Sequence, residues 1–407
     1  MNAEFHKEIK DSLQRLLQGP AHPEKEFTSS GTTFAEVYAM AAQLYAASGD
    51  PEHKNIPVCL AADSRAVIAA ALLSSLAGGS PLLLPYSFSR KALKDAHEAS
   101  GFTTAIADTE REFPENVKLI SPRRDGNPQT LSQSEMSTRA ELLKIFTGGS
   151  TGTPQAWSKT AENIFGEGFF LARNYGVTEK DCIVATIPPY HIYGLLFSIV
   201  LPLVSSATIV DETPSFPSEI MRAASDHKAT ILVSVPAHYR VIREKKVPVR
   251  LAFSSAGMLD GETNAQYSAN NPMGIVEVYG STETGGIATR NRSKGEDFFT
   301  SFPVIDWKIQ NQRLAVRSPF ISPELVTEKD CYFTANDRIL AIDEIRFSLE
   351  GRSDTVTKVG GKRVDLEEIS LLIKDSQGVT DCVVVALPDD GGRENRIGAL
   401  IQGEEVN

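Results

Sequence analysis

Cysteine is scarce and unpaired in this chain. The four present in 407 residues, Cys59, Cys182, Cys331 and Cys382, stand far apart with no CxxC spacing. That spacing excludes a cysteine-built zinc site and argues against a disulfide framework, leaving buried thiols in a reducing compartment. Histidine is equally thin, with seven residues and no HxxxH or similar cluster. Positive charge is in deficit: 41 Lys and Arg face 52 Asp and Glu, a net charge of −11. A general nucleic-acid or anionic-membrane surface is therefore not expected. Long uncharged runs are missing save one, residues 192–210, which holds 19 residues without a charge and so meets a membrane-spanning length. Gly194, Ser198, Pro202, Ser205 and Ser206 interrupt it, and Pro202 would break a spanning helix. A buried helix followed by a buried strand over 207–210 is the expectation, with no membrane span. Residues 1–18 follow a charged amphipathic helix pattern without the apolar core of a signal peptide. Together these readings predict a soluble cytoplasmic protein.

What remains is ordinary globular composition, 41% apolar and 23% charged, in a chain long enough for two or three domains. Strand-like runs at 58–62, 82–84 and 104–107 alternate with helical patterns at 65–77 and 90–100. The rhythm returns with strands at 182–187, 208–210, 231–235 and 250–254 around helices at 192–200 and 217–227. Such alternation predicts an α/β fold of parallel-rich sheets flanked by helices. Residues 307–309 and 313–316 predict a hairpin with a polar turn at 310–312. Residues 121–136 are polar, with two prolines, and read as a connection. A boundary near Glu350 separates a large domain, 1–350, from 57 residues, 351–407, that predict a small α+β unit. Its parts are a hairpin around Gly360-Gly361, a helix at 366–374 and strands at 381–387 and 396–402. A unit of that size is marginal alone.

The densest local signal is Thr147-Gly148-Gly149-Ser150-Thr151-Gly152-Thr153-Pro154-Gln155, three glycines and four hydroxyls in nine residues directly after a strand-like run. Glycines allow close backbone approach, and hydroxyls with bare N–H groups can donate to phosphate oxygens. The Gly-Lys-Ser/Thr of a Walker A loop is absent. A flexible surface loop has the same composition, so the loop does not decide the matter alone. Three further blocks follow in order: Tyr279-Gly280-Ser281-Thr282-Glu283-Thr284-Gly285-Gly286 after an apolar strand, Tyr332-Phe333-Thr334-Ala335-Asn336-Asp337, and Gly351-Arg352-Ser353-Asp354 leading to Lys358-Val359-Gly360-Gly361-Lys362-Arg363.

This ordered set resembles the adenylate-forming superfamily of acyl-CoA and aryl-CoA synthetases, luciferases and peptide-synthetase adenylation domains, from about residue 30 to the C-terminus. The resemblance implies an acetyl-CoA synthetase-like fold, with a large N-terminal AMP-binding domain that includes a small barrel-like part, and a shortened C-terminal domain. It implies ATP-dependent activation of a small-molecule carboxylic acid, fatty or aryl, and transfer to CoA or to the phosphopantetheine of an acyl carrier protein. The cofactors would be ATP, Mg2+ and CoA. By resemblance, Thr147, Gly148, Gly149, Ser150, Thr151 and Gly152 grip the β- and γ-phosphates. Thr282 donates to the α-phosphate and Glu283 is the metal ligand, a hard oxygen donor for a hard cation. Tyr279 stacks on adenine, Glu277 accepts from its amino group, and Ala256 with Gly257 forms the flat wall on the other face. The alternative for Tyr279 and Glu277 is that they merely cap a strand. Asp337 would hold the ribose hydroxyls and Arg352 a ribose or phosphate oxygen, although an Asx-turn explains Asp337 too. His191 borders the acyl pocket, or is a satisfied core histidine. Gly280 would leave the pocket floor open for a medium-chain or aryl acid. Asp354 matches a hinge. Gly361 with Gly360 would line a pantetheine tunnel, or form a plain turn, and Arg363 would meet a CoA phosphate or a carrier protein.

The pattern departs from the family in three places. Gln155-Ala156 stands where Lys-Gly is usual, and the usual Thr-Gly-Asp reads Thr334-Ala335-Asn336-Asp337. The sequence ends at Asn407 before the glycine-lysine loop whose lysine bridges substrate carboxylate and α-phosphate. Losing such a preorganised cation costs on the order of 10²–10³ in rate. A truncation, a lysine from another chain, or an enzyme specialised for the second half-reaction would each account for it. A catalytically impaired nucleotide- or acyl-binding homologue is the rival reading.

Overall fold

Helices and strands alternate along the chain in the computed structural model as the apolar runs predict. The structure describes residues 3–47, 56–124, 131, 138, 140–147, 155–326, 331–353, 356–359, 362–376, 378–388 and 395–403. The chain divides into two compact units, the first comprising residues 1–297, 302–305 and 318–329, the second 298–301, 306–317 and 330–407.

The first unit opens with helices α1 (Ala3–Gln18) and α2 (Phe34–Ala47). Strand β1 (Val58–Leu60), α3 (Arg65–Leu76), β2 (Leu82–Leu84), α4 (Arg90–Ser100), β3 (Thr104–Ile106) and β4 (Lys118–Ile120) follow. Then come β5 (Glu141–Thr147), β6 (Gln155–Thr160) and α5 (Ala161–Tyr175). The strands form a sheet in the order β4-β3-β1-β2-β5-β6. All neighbours are parallel except β5 and β6, which pair antiparallel. Strands β1 and β2 are buried along their length, which explains their continuous apolar runs rather than an alternating pattern. Helix α3 is buried on every side. The Ser64 hydroxyl caps it by accepting from the Val67 N–H.

A second sheet repeats this plan. It is built from β7 (Cys182–Ala185), β8 (Thr208–Ile209), β9 (Ile231–Ser234), β10 (Leu251–Ser254), β11 (Val276–Ser281) and β12 (Gly285–Arg290). Their order is β12-β11-β10-β9-β7-β8. Again every pair is parallel except the last hairpin, β11 with β12. The 282–284 turn therefore sits where a parallel strand turns into an antiparallel partner, and Thr147 and Gln155, which flank the other motif, end the β5–β6 pair. Helices α6 (Ile192–Leu195), α7 (Leu201–Ser205), α8 (Pro217–Asp226), α9 (Pro236–Ile242) and α10 (Gly261–Asn270) complete the layer.

The uncharged run at 192–210 is a buried helical segment followed by strand β8, as expected. Its interior is a π-turn, Leu196–Val200, between α6 and α7. The widened turn admits Pro202, which has no N–H to give an α-helical bond. No described helix is long and apolar enough to cross a membrane.

The second unit contains β13 (Phe299–Ser301), β14 (Asp306–Gln310), β15 (Arg313–Arg317), β16 (Phe333–Ala341) and β17 (Arg346–Arg352). They form an antiparallel sheet ordered β14-β15-β16-β17-β13 around Trp307 and Phe347, whose rings pack edge-on at 5.1 Å. The β14–β15 hairpin turns through Asn311 and Gln312, both at positive φ, the conformation a two-residue hairpin turn demands. Beyond lie the hairpin of β18 (Val356–Val359) and β19 (Lys362–Asp365), helix α11 (Leu366–Lys374), and the hairpin of β20 (Val379–Pro388) and β21 (Asn395–Gly403).

Candidate functional site

The Tyr279–Gly286 block folds as the β11–β12 hairpin with Thr282-Glu283-Thr284 as its turn. Hydroxyls close that turn. The Ser281 N–H donates to Thr284 Oγ1 at 3.2 Å, and the Thr284 N–H returns to Ser281 Oγ at 3.3 Å. The backbone of Glu283 is pinned twice: its carbonyl accepts from Lys159 Nζ at 3.1 Å and from the Ser322 N–H at 2.8 Å. Lys159 also donates to the Phe320 carbonyl at 2.9 Å. On the far side of the turn, the Gly286 N–H donates to Glu167 Oε1 at 2.8 Å. Thr282 and Glu283 themselves are half-buried. A half-buried carboxylate and hydroxyl on a turn held this firmly suit a preorganised oxygen site.

Three glycines of the block are demanded by this packing. A Cβ on Gly280 would lie 2.3 Å from the Gly285 carbonyl oxygen, and one on Gly286 would lie 2.7 Å from Glu167 Oε1. Gly285 combines a φ of +66° with a Cβ position 2.6 Å from Glu167 Oε2. Gly280 thus answers to a backbone crossing at a bulge in the hairpin. Its missing side chain does not by itself report the size of an acid tail.

Strand β10 ends beside this hairpin at Ser255-Ala256-Gly257, and the Ser255 hydroxyl donates to the Val278 carbonyl at 2.9 Å. Ala256 is exposed with φ +63°, a conformation that is uncommon for a residue with a side chain and that clusters at functional sites. Tyr279 is half-buried on β11. Glu277 is buried, and Arg290 Nη2 donates to its Oε2 at 2.9 Å. Arg292 Nε lies 3.3 Å from Oε1. Among the described residues that oxygen makes no hydrogen bond, and it is buried against the Arg292 charge. The C-terminal ends of adjacent parallel strands therefore gather Ala256, Gly257, Glu277, Tyr279, Gly280, Thr282 and Glu283, which is where open α/β sheets bind ligands.

A cavity of about 170 Å3 lies against this hairpin. Ile192, Tyr193 and Phe197 line it from α6 and the π-turn, and Ala256 and Gly280 from the strand ends, with Glu167 contributing a carboxyl. The Tyr193 hydroxyl is anchored by the Ser234 carbonyl at 3.2 Å, and its ring packs edge-on with Phe197 at 5.0 Å. Gly194 lets the chain fold back here, since a Cβ would sit 2.0 Å from the Pro188 carbonyl oxygen. His191 is exposed, against the Tyr190 ring at 4.8 Å, and is not among the cavity-lining residues. Tyr190 in turn packs on Phe88 at 4.7 Å, with Arg111 over the Phe88 face.

Of the first loop, the structure describes the two ends. Thr147 pairs with Gln155 across the β5–β6 ladder, and its hydroxyl donates to the Gln155 carbonyl at 3.3 Å. Gly148, Gly149, Ser150, Thr151 and Gly152 lie outside the described residues, as do Asp354, Gly360 and Gly361. In the second unit, Asp337 sits on strand β16 rather than in a turn. It pairs with Arg352 on β17, whose Nη1 lies 3.7 Å from Asp337 Oδ1. Arg363 is on β19 opposite Lys358.

Lys159 and Glu167 are functional-site neighbours that the motif reading passed over. Lys159 is 1% and Glu167 3% exposed. Burial pulls the Lys159 ammonium below its ordinary value, against the opposing pull of the Glu167, Glu283 and Glu324 carboxylates. Burial pushes the Glu167 carboxyl up, against the Gly286 N–H and the Lys159 charge. One signal was available: Gly166-Glu167-Gly168 sets a charge between Ile164-Phe165 and Phe169-Phe170-Leu171, on the apolar side of a helix.

With this geometry in hand, comparison with known proteins is informative. Residues 21–319 match the family described as AMP-binding enzyme. The chain is 27% identical over 281 residues to 4-coumarate–CoA ligase of Rhodobacter capsulatus, covering 67% of this chain and 68% of that protein. It is 24% identical over 466 residues to sulfoacetate–CoA ligase of Cupriavidus necator, covering 99% and 90%. Among solved structures, ATP-bound MatB from Rhodopseudomonas palustris superposes with a TM-score of 0.80 at 17% identity, over 97% of this chain and 88% of that one. O-succinylbenzoate coenzyme A synthetase from Bacillus subtilis, in complex with ATP and magnesium ion, also reaches 0.80, at 18% identity over 96% and 89%. At these identities the structural likeness establishes a shared acetyl-CoA synthetase-like fold.

Proposed function

The chain belongs to the AMP-binding enzyme family, and from that premise we propose that it is an AMP-forming acid–thiol ligase. It activates a small carboxylic acid as the acyl-adenylate and passes the acyl group to CoA or to a carrier-protein phosphopantetheine. The observation that carries this reading is the pinned Thr282–Glu283 turn beside a cavity that opens on the same strand ends. The relatives named as 4-coumarate– and sulfoacetate–CoA ligases support the reaction class.

The residues fit the cofactors the reaction needs. Magnesium keeps several waters and is held by one or two carboxylates with substrate phosphates, so the single Glu283 carboxylate suffices. Bound there, the ion would supply charge neutralisation on the phosphates. Thr282 would donate to the α-phosphate. Thr147 stands at the end of the loop proposed for the outer phosphates. Ala256 and Tyr279 would flank the adenine, with Glu277 Oε1 accepting from its amino group. Asp337 and Arg352 are the proposed ribose contacts, and Gly361 and Arg363 the proposed contacts of the thiol carrier's arm. His191 is the proposed residue for the substrate carboxylate.

Cavity volume narrows the acid. At about 170 Å3 it compares with an engineered apolar cavity of roughly 150 Å3 that takes up benzene. That volume supports an aryl ring or a short acyl chain as the group held against the hairpin. Acid-dependent exchange of radiolabelled pyrophosphate into ATP, across a panel of aryl, short-chain and long-chain acids, tests the reading. Exchange with an aryl or short-chain acid is expected, followed by thioester formation on adding CoA or a holo-carrier protein. A chain that binds nucleotide yet exchanges with no acid would instead be the impaired homologue.

A further inference from the structure

Two buried ionisable side chains have no part in the chemistry above. Removing an ammonium and a carboxylate from water costs several kcal/mol each, and well-packed apolar residues would fill the same space at no such cost. Lys159, on β6, and Glu167, on α5, nonetheless direct their polar atoms at opposite sides of one three-residue turn. Lys159 holds the carbonyl of Glu283 at 3.1 Å, and Glu167 holds the N–H of Gly286 at 2.8 Å. Neither bond belongs to a helix or strand ladder. The Ser322 N–H takes the second acceptor position of the Glu283 carbonyl at 2.8 Å, so the main chain at that residue has little freedom to rotate. The block's glycines are cut to the same device, because a Cβ at Gly285 or Gly286 would strike the Glu167 carboxyl.

We propose that Lys159 and Glu167 are positioning residues that clamp the Thr282–Glu283 turn from the interior and thereby set the Glu283 carboxylate for a magnesium–nucleoside triphosphate. The proposal rests on the reading of this turn as the nucleotide site. Glu167 adds a second consequence, because its carboxyl also lines the cavity. The clamp thus ties the metal-binding turn to the floor on which the acid would lie.

Magnesium titrations of the 407-residue chain test it, with ATP binding followed by calorimetry and acid-dependent exchange as the activity. Lys159→Met is expected to raise the half-saturating magnesium concentration about tenfold or more and to lower kcat, while the KM for the acid changes less than about threefold. Glu167→Gln keeps an acceptor for the Gly286 N–H, so its half-saturating magnesium concentration is expected to lie well below that of Glu167→Leu, whatever the loss of the charge does to turnover. Glu167→Leu removes that acceptor and is expected to match Lys159→Met. A purely structural role would lower thermal stability without moving the magnesium dependence, and that result overturns the proposal. If Lys159→Met does not fold, the Glu167 pair decides: equal magnesium dependence in the Gln and Leu variants overturns it. A parent chain that binds no magnesium–ATP would bring down the functional reading with it, whereas binding by the parent and unchanged variants refutes the clamp alone.

Discussion

Strands β1, β2 and β9 of the first unit are buried along their whole length, whereas the β20–β21 hairpin of the second leaves Val383, Val385 and Leu387 exposed, with Leu400 76% exposed. Val383 and Leu400 face each other across that hairpin, while Ile401, also exposed, pairs with Cys382 on the other side. The opposite side carries buried Cys382, whose carbonyl accepts from the Ser370 hydroxyl of α11 at 3.0 Å. The inner strands of the first unit are covered on both faces, and the hairpin is only partly covered on either. An isolated two-stranded pair is marginal in water. The contrast teaches where rigidity resides. The turn bearing Thr282 and Glu283 grows from a sheet whose inner strands β9 and β10 are buried almost throughout, which suits a site that must hold charge in fixed geometry.

Core truncation should widen the contrast most. Leu232→Ala, in β9 at 0% exposure, is expected to cost about 2–5 kcal/mol. Leu400→Ala should cost less than about 0.5 kcal/mol. Urea unfolding of both variants checks the pair, and similar losses would erase the distinction. A smaller effect is expected at the first unit's half-buried ion pair of Asp181 and Arg250. Asp181 accepts from Arg250 Nε and Nη2 at 2.8 and 2.6 Å and from the Thr230 hydroxyl at 2.7 Å. Burial raises the Asp181 pKa, but the bonds from Arg250, Thr230 and the Thr178 N–H outweigh it and hold the carboxyl below its ordinary value. The depressed folded value means its stabilisation is complete above the unfolded pKa of about 3.9. It is lost as pH falls through the folded value. Asp181→Asn should therefore cost about 2–3 kcal/mol at pH 7, and the difference from the parent should shrink below about pH 4. Smaller still is Thr160→Ala. Thr160 Oγ1 accepts from the Asn163 N–H in a capping box at the start of α5, the helix that carries Glu167. About 1 kcal/mol is expected, readable as a lowered melting temperature.

Much of the architecture could be read from residue pattern alone. The runs at 82–84, 90–100 and 366–374 became β2, α4 and α11 at those bounds, because parallel strands flanked by helices write continuous apolar runs between turn residues. What escaped was long-range pairing. Lys159 and Glu283 are 124 positions apart, and a lysine near the end of a strand ordinarily reads as a solvated charge. Glu167 was hidden for the same reason, as one acidic residue in an amphipathic helix. Gly280 was legible as a glycine at the pocket, and it does line the cavity; only packing adds that a Cβ there would also strike the Gly285 carbonyl. Glu277 was legible as a candidate acceptor, while its two arginine partners at 290 and 292 were not. Their charges reach it across the antiparallel register of the hairpin.

The most direct measurement is acid-dependent ATP–pyrophosphate exchange as a function of magnesium in the parent chain and in Glu283→Gln, which keeps size and removes the charge. A magnesium-saturable signal in the parent that falls on the order of 10²–10³ in the variant, with the fold intact, is the expected result. Exchange that persists in Glu283→Gln with an unshifted magnesium midpoint would contradict a metal–nucleotide site at this turn.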